Sequence, residues 1–127
     1  MKSKWNYYQN SGELFRDGKL VAVGYSGDPK HKNMTEHEGL RSKGPIPRGL
    51  YRMFYVYKKH PKLGPYAIAL RPVGHNCLGR SGFMVHADSI RNPGAASQGC
   101  IIMPSDVRRL MADCVGKRDD SELIDVL

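Results

Sequence analysis

The chain has 127 residues, 40% of them hydrophobic and 25% charged, with a formal net charge of +8. This composition excludes a disordered chain and a coiled coil, and the length fits a single domain spanning residues 1–127 around one core. No apolar run approaches the roughly 20 residues of a membrane span, and the opening Met1–Asn6 leads into no signal-peptide core, so export is expected to use another route.

The positive charge favours polyanionic partners, but the basic residues are scattered. They run from Lys2 and Lys4 through Lys30, Lys58 and Lys59 to Arg108 and Arg109 without forming a block or a nucleic-acid module. A solvated basic surface is therefore expected, with no specific nucleic-acid partner. Three cysteines, Cys77, Cys100 and Cys114, are an odd number, so at least one thiol escapes intramolecular pairing.

In chain order, Trp5–Gln9, Glu13–Arg16 and Lys19–Gly24 alternate apolar and polar residues, and Asp17-Gly18 between the last two signals a hairpin. Residues 26–44 read as a long polar loop with room for one helical turn. Pro45–Gly49 is a rigid turn into a strand over Leu50–Tyr57, followed by a basic loop over Lys58–Gly64. Tyr66–Arg71 is the next strand, ended by Pro72, and Phe83–His86 is a short apolar strand suited to the middle of a sheet. After the small residues Gly94–Gly99, Cys100–Met103 forms another short buried strand. From Ser105 the period becomes helical, with Val107, Leu110, Met111, Cys114 and Val115 on one face and Gly116 as the stop. Glu122–Leu127 closes the chain as a strand. The fold class is mainly β with one amphipathic helix near the C-terminus.

A thiol attacks a carbonyl as its thiolate, so a nucleophilic cysteine needs a base and free backbone amides nearby. Cys100 follows Ser97-Gln98-Gly99, and the glycine permits a loop whose amides, those of Gly99 and Cys100, turn toward a reacting oxygen. His86 ends a strand one loop upstream, where an imidazole can take the thiol proton and return it to a leaving amine. A metal site built from His75, Cys77, His86 and Cys100 is disfavoured because no tight C-x₂₋₄-C pair is present.

Gly82-Phe83-Met84-Val85-His86-Ala87-Asp88-Ser89 followed by Ser97-Gln98-Gly99-Cys100-Ile101-Ile102-Met103 resembles the His and Ser-X-Gly-Cys signature of the L,D-transpeptidase (YkuD-like) catalytic domain. Within that superfamily it is most similar to a compact subgroup that includes peptidoglycan-attacking effectors delivered by type VI secretion. The similarity extends to Gly24–Gly27, Gly44–Gly49 and Gly79–Gly82, and so covers nearly the whole chain.

The resemblance implies a curved β-sandwich-like fold, with Cys100 as nucleophile, His86 as base, and Ser97 and Gly99 shaping the nucleophile loop. It also implies a peptidoglycan stem tetrapeptide as substrate, a thioester on Cys100, and no metal or cofactor. Water, a free D-amino acid or the amine of a second stem would resolve that thioester. A monomer acting in the bacterial periplasm or cell wall, with a cognate immunity protein as a further partner, belongs to the same expectation. Two departures matter: Gln98 stands where many members have His, and Ile102 where many have a basic residue. Arg80, with Arg48 behind it, is the substitute expected to bind substrate carboxylates. His75, Ser89 and Gln98 are expected to line the substrate site, and Asp88 and Ser89 either to hydrogen-bond the imidazole or to cap its loop. The rival reading is a non-catalytic basic module that binds wall polymer or nucleic acid.

Overall fold

The computed structural model describes residues 5–127, so Lys2 and Lys4 lie outside the described residues. Among the described residues nine strands form one sheet: β1 (Trp5–Tyr7), β2 (Glu13–Arg16), β3 (Lys19–Val23), β4 (Tyr25–Ser26), β5 (Gly49–His60), β6 (Gly64–Val73), β7 (Met84–His86), β8 (Ile101–Ile102) and β9 (Leu123–Val126). Their order is β3-β2-β1-β9-β5-β6-β7-β8-β4. The α-helix, α1 (Ser105–Ala112), packs against β6. The fold is thus mainly β with one helix near the C-terminus. Among the described residues no helix is long and apolar enough to cross a membrane.

Local chemistry explains several elements. Asp17 and Gly18 both take positive φ, 48° and 80°, which is the two-residue hairpin turn that their sequence demands between Arg16 and its partner Lys19. The β5–β6 hairpin is longer than the sequence pattern suggests: β5 continues to His60, β6 begins at Gly64, and the supposed loop shrinks to three residues. The reason is His60, whose Nδ1 accepts the amides of Lys62 and Leu63 (both 3.1 Å) and caps the turn. Nor does Pro72 end β6. It pairs with Tyr51 of β5, while the ladder to β7 covers only Ile68 and Ala69, so the missing amide leaves no β7 carbonyl unserved.

The core gathers Trp5, Tyr7, Leu14, Tyr51, Met53, Ile68, Val85, Ile101 and Ile124, all fully buried. Burying each such side chain contributes about 1.5–3 kcal/mol before entropy is counted. The helix stops at Ala112, short of Gly116, and the turns that follow carry Cys114 into the core. Val107, Arg108 and Met111 form its buried face, whereas Leu110 is exposed, contrary to the sequence pattern. Arg108 takes the inward place because its guanidinium donates to the carbonyls of Met103 and Pro65, which ties α1 to the ends of β8 and β6.

The functional region hangs on the parallel pairing of β7 and β8, with Val85 opposite Ile101 and His86 opposite Ile102. That register sets His86 beside Ile102 at the end of β8, and places Cys100, which precedes β8, on the neighbouring strand two residues back, level with Met84.

Candidate active site

The loop before Cys100 is held by two serine hydroxyls. Ser97, buried at 1% exposure, accepts the amides of Gly27 (2.8 Å) and Gly99 (3.1 Å) and donates to the Cys100 carbonyl (2.6 Å). Ser26, fully buried, donates to the Gly99 carbonyl (3.0 Å) and accepts the Ile46 amide (2.8 Å). The Gly99 amide, expected to face a reacting oxygen, is therefore taken by Ser97. The Cys100 amide has no hydrogen-bond partner among the described residues and keeps that capacity.

Arg80 lies beneath this loop, only 7% exposed. Its guanidinium donates to the carbonyls of Glu38 (2.6 Å), Pro45 (2.8 Å), Gly44 (3.0 Å) and Gln98 (3.3 Å), and it lies 5.2 Å over the Phe83 ring. With four N–H groups committed to backbone, Arg80 joins the 38–45 loop to the nucleophile loop, which is a different task from the expected grip on a substrate carboxylate. It does so as a buried cation with no carboxylate partner among the described residues.

Cys100 is partly buried and opens on a cleft of about 370 Å³ lined by Arg41, Ser42, Arg80, Gly82, Phe83 and Gln98. Burial pushes its thiol above the ordinary value, against the pull of the Met84 amide and the Arg80 guanidinium. The Gly82 carbonyl lies 3.9 Å from the sulfur.

His86, 3% exposed, donates from Nδ1 to the Ala87 carbonyl at 2.8 Å, which leaves Nε2 as the unprotonated nitrogen of the neutral ring. Nε2 has no hydrogen-bond partner among the described residues. Burial pulls the imidazole below its ordinary value. His86 lines a second and larger hollow, of about 840 Å³, together with His60, Lys62, Ser89, Arg91 and Arg108. Along β7 it lies two residues, roughly 6.6 Å, beyond Met84, whose amide faces the thiol. Thiol and imidazole share no hydrogen bond in this structure.

The remaining expected residues divide cleanly. Gln98 lines the Cys100 cleft, and its carbonyl serves Arg80. Asp88 accepts Tyr25 Oη (2.7 Å) and the amides of Ser89 and Gly94, and Ser89 Oγ accepts the Asn92 amide, so both cap the loop instead of touching the imidazole. His75 stands apart from the cleft, because Nε2 donates to the Leu50 carbonyl and Nδ1 accepts the Cys77 amide against the Tyr51 ring. Arg48 also stands apart, paired with Glu38 at 2.9 Å. Cys77 is buried and bonded to Tyr51 Oη, and among the described residues no cluster of three or more His, Cys, Asp or Glu is placed to hold a metal. Sequence reasoning missed Tyr25 and Ser26. The Gly24–Gly27 stretch carried the family resemblance but offered no chemistry of its own.

Fold and loop together define a protein of the L,D-transpeptidase catalytic fold. Bd1075 of Bdellovibrio bacteriovorus matches over 98% of this chain with a TM-score of 0.61 at 17% identity. The catalytic domain of the E. faecium L,D-transpeptidase matches over 99% with a TM-score of 0.56 at 17% identity. An L,D-transpeptidase from Mycobacterium smegmatis matches over 98% with a TM-score of 0.50, also at 17% identity. The chain spans 48% of Bd1075 and 59% of the mycobacterial protein, but 97% of the E. faecium catalytic domain. No curated protein matches the sequence. Residues 21–125 match the Tlde1 domain, and the chain belongs to that family.

Proposed function

We propose that this protein is a cysteine-dependent acyltransferase acting on peptidoglycan stem tetrapeptides, with Cys100 as nucleophile and His86 as base. The observation that carries the reading is the clamped loop: two buried serines and Arg80 hold a partly exposed thiol at the mouth of a cleft, one strand from an imidazole with Nε2 open. Family membership and the L,D-transpeptidase fold support the substrate class.

With the thiol pKa raised and the imidazole pKa lowered, both groups rest uncharged near neutrality. The proton therefore passes from Sγ to His86 Nε2 as sulfur attacks, once the two side chains close on each other around the substrate. The S–C bond forms to the carbonyl of the third stem residue, and the developing oxyanion takes the Cys100 amide. The C–N bond to D-alanine then breaks, and His86 returns the proton to the leaving amine. The thioester passes its acyl group to water, to a D-amino acid, or to the side-chain amine of another stem. In the family's setting this activity serves an antibacterial effector that acts in the periplasm and is countered by an immunity protein.

Incubating the protein with disaccharide-tetrapeptide, with and without a D-amino acid, and following the products by mass spectrometry tests this. Loss of D-alanine that continues unchanged in Cys100→Ser would exclude the mechanism. The resting separation of thiol and imidazole is the one feature that favours a non-catalytic wall-binding module. That reading wins if Cys100→Ala keeps the full biological effect.

A further inference from the structure

Along β5 the side chains alternate until a bulge between Met53 and Tyr55, where Phe54 has no partner on β6. An extra residue in one strand reverses the alternation beyond it. Met53 before the bulge and Val56 after it turn to the core, while Phe54, Tyr55 and Tyr57 are 47%, 54% and 41% exposed. The rings form a file: Tyr55 meets Tyr57 edge-on at 4.8 Å, and Tyr57 meets His60 at 5.2 Å. Three exposed aromatic residues on one strand serve no core, and such patches mark binding surfaces.

The file is continuous with the candidate site. Phe54 and Tyr57 line an apolar groove of about 390 Å³ whose far wall is Arg80–Met84, and the stretch from Arg80 to Phe83 also walls the Cys100 cleft. Arg71 lies 5.5 Å over the Phe54 ring at the outer end, beside Arg118. Arg52 is paired with Glu122, but the guanidinium groups of Arg71 and Arg118 form no ion pair among the described residues.

We propose that this groove is a subsite for the sugar portion of a glycopeptide substrate, the disaccharide to which the stem is attached; this rests on the function proposed above. Pyranose rings present flat C–H faces that pack on aromatic rings. Their hydroxyl and acetamido oxygens accept hydrogen bonds of the kind the Arg71 guanidinium donates. The distances agree. From Cys100 across Met84 and Ala69 to Tyr55 is three strand spacings, roughly 14 Å. Three stem residues from the attacked carbonyl back to the sugar reach roughly 10 Å, and the lactyl bridge and the ring cover the rest.

Two measurements test it. Titrating the peptide-free wall disaccharide into the protein should shift the NMR signals of Phe54, Tyr57 and Arg71, and a Phe54→Ala/Tyr57→Ala variant should lose the binding. Kinetically, KM for disaccharide-tetrapeptide should be about tenfold below that for the same tetrapeptide without sugar, and the double variant should close that gap. Absence of shifts, equal KM values for the two substrates, or a variant that raises both alike would overturn the subsite. If neither substrate releases D-alanine the function itself fails, while the titration still decides what the groove binds.

Discussion

Gly99 lies against Arg80 so closely that a β-carbon on Gly99 would sit 2.5 Å from the Arg80 Nη2, and 3.2 Å from the Phe83 ring. Its φ of +135° is also a conformation that side-chain-bearing residues avoid. Gly99→Ala should therefore push the guanidinium off the Gln98 carbonyl and unseat the nucleophile loop. We expect a loss of about 1–3 kcal/mol in unfolding free energy together with near-complete loss of turnover, measured by urea denaturation and product analysis.

Arg80 places a positive charge beside Cys100 without a carboxylate to neutralise it. Its effect on the thiol can be separated from its effect on the loop. In Arg80→Met the pH midpoint of Cys100 alkylation should move up, because the guanidinium that favours the thiolate is gone, whereas Arg80→Lys should shift it less, because it keeps the charge even though it cannot reach four carbonyls. If both variants lose stability but leave the midpoint where it was, Arg80 serves the loop alone.

What the sequence made legible was local. Asp17-Gly18 announced its hairpin, the short apolar run at β7 announced a strand inside the sheet and that at β8 a buried one, because turn chemistry and local apolar runs act over a few residues. The pairing of β1 with β9 and of β8 with β4 joins segments far apart in the chain, and no local pattern encodes it. The site shows the same division. Cys100, His86 and Gly99 could be singled out from their chemistry, and Ser97 from the family resemblance. The partners of Arg80, His75 and Arg48 were not, since backbone carbonyls and Glu38 from other loops hold them. Ser26 was invisible because its role exists only once β4 lies beside β8.

Ser97 offers a stability test of the clamp. Ser97→Ala leaves the Gly27 and Gly99 amides without their acceptor in a buried setting. The expected cost is about 2–4 kcal/mol, read from urea or thermal unfolding, with faster amide exchange at Gly27 and Gly99. A change under half a kcal/mol would mean that water replaces the hydroxyl.

Acid should weaken the fold through Glu38. Burial pushes its carboxyl up, but the Arg48 side chain and amide, with Gln9, outweigh that and hold it below the usual range. A carboxyl whose native pKa is depressed stabilises the fold above its unfolded value, and the contribution is lost as pH falls through the native one. Glu38→Gln should therefore lower stability at pH 7 and flatten the decline on acidification. Melting curves from pH 7 to pH 3 decide this, and parallel curves for the two proteins would refute it.

The chemistry of Cys100 and His86 should show a broad neutral plateau. Burial raises the thiol and lowers the imidazole, so the pair rests as SH and neutral ring, not as thiolate and imidazolium. As pH falls, kcat/KM drops only when His86 protonates, below its ordinary value of about 6.5. In the free protein, Cys100 alkylation should rise with pH and reach its midpoint above the ordinary thiol value, since thiolate forms late. His86→Asn should remove the acid limb of turnover and lower the rate at pH 7 by about 10²–10⁴, leaving alkylation at high pH intact. Rapid alkylation at pH 6 would instead mean a resting ion pair, with imidazole and thiol already in contact.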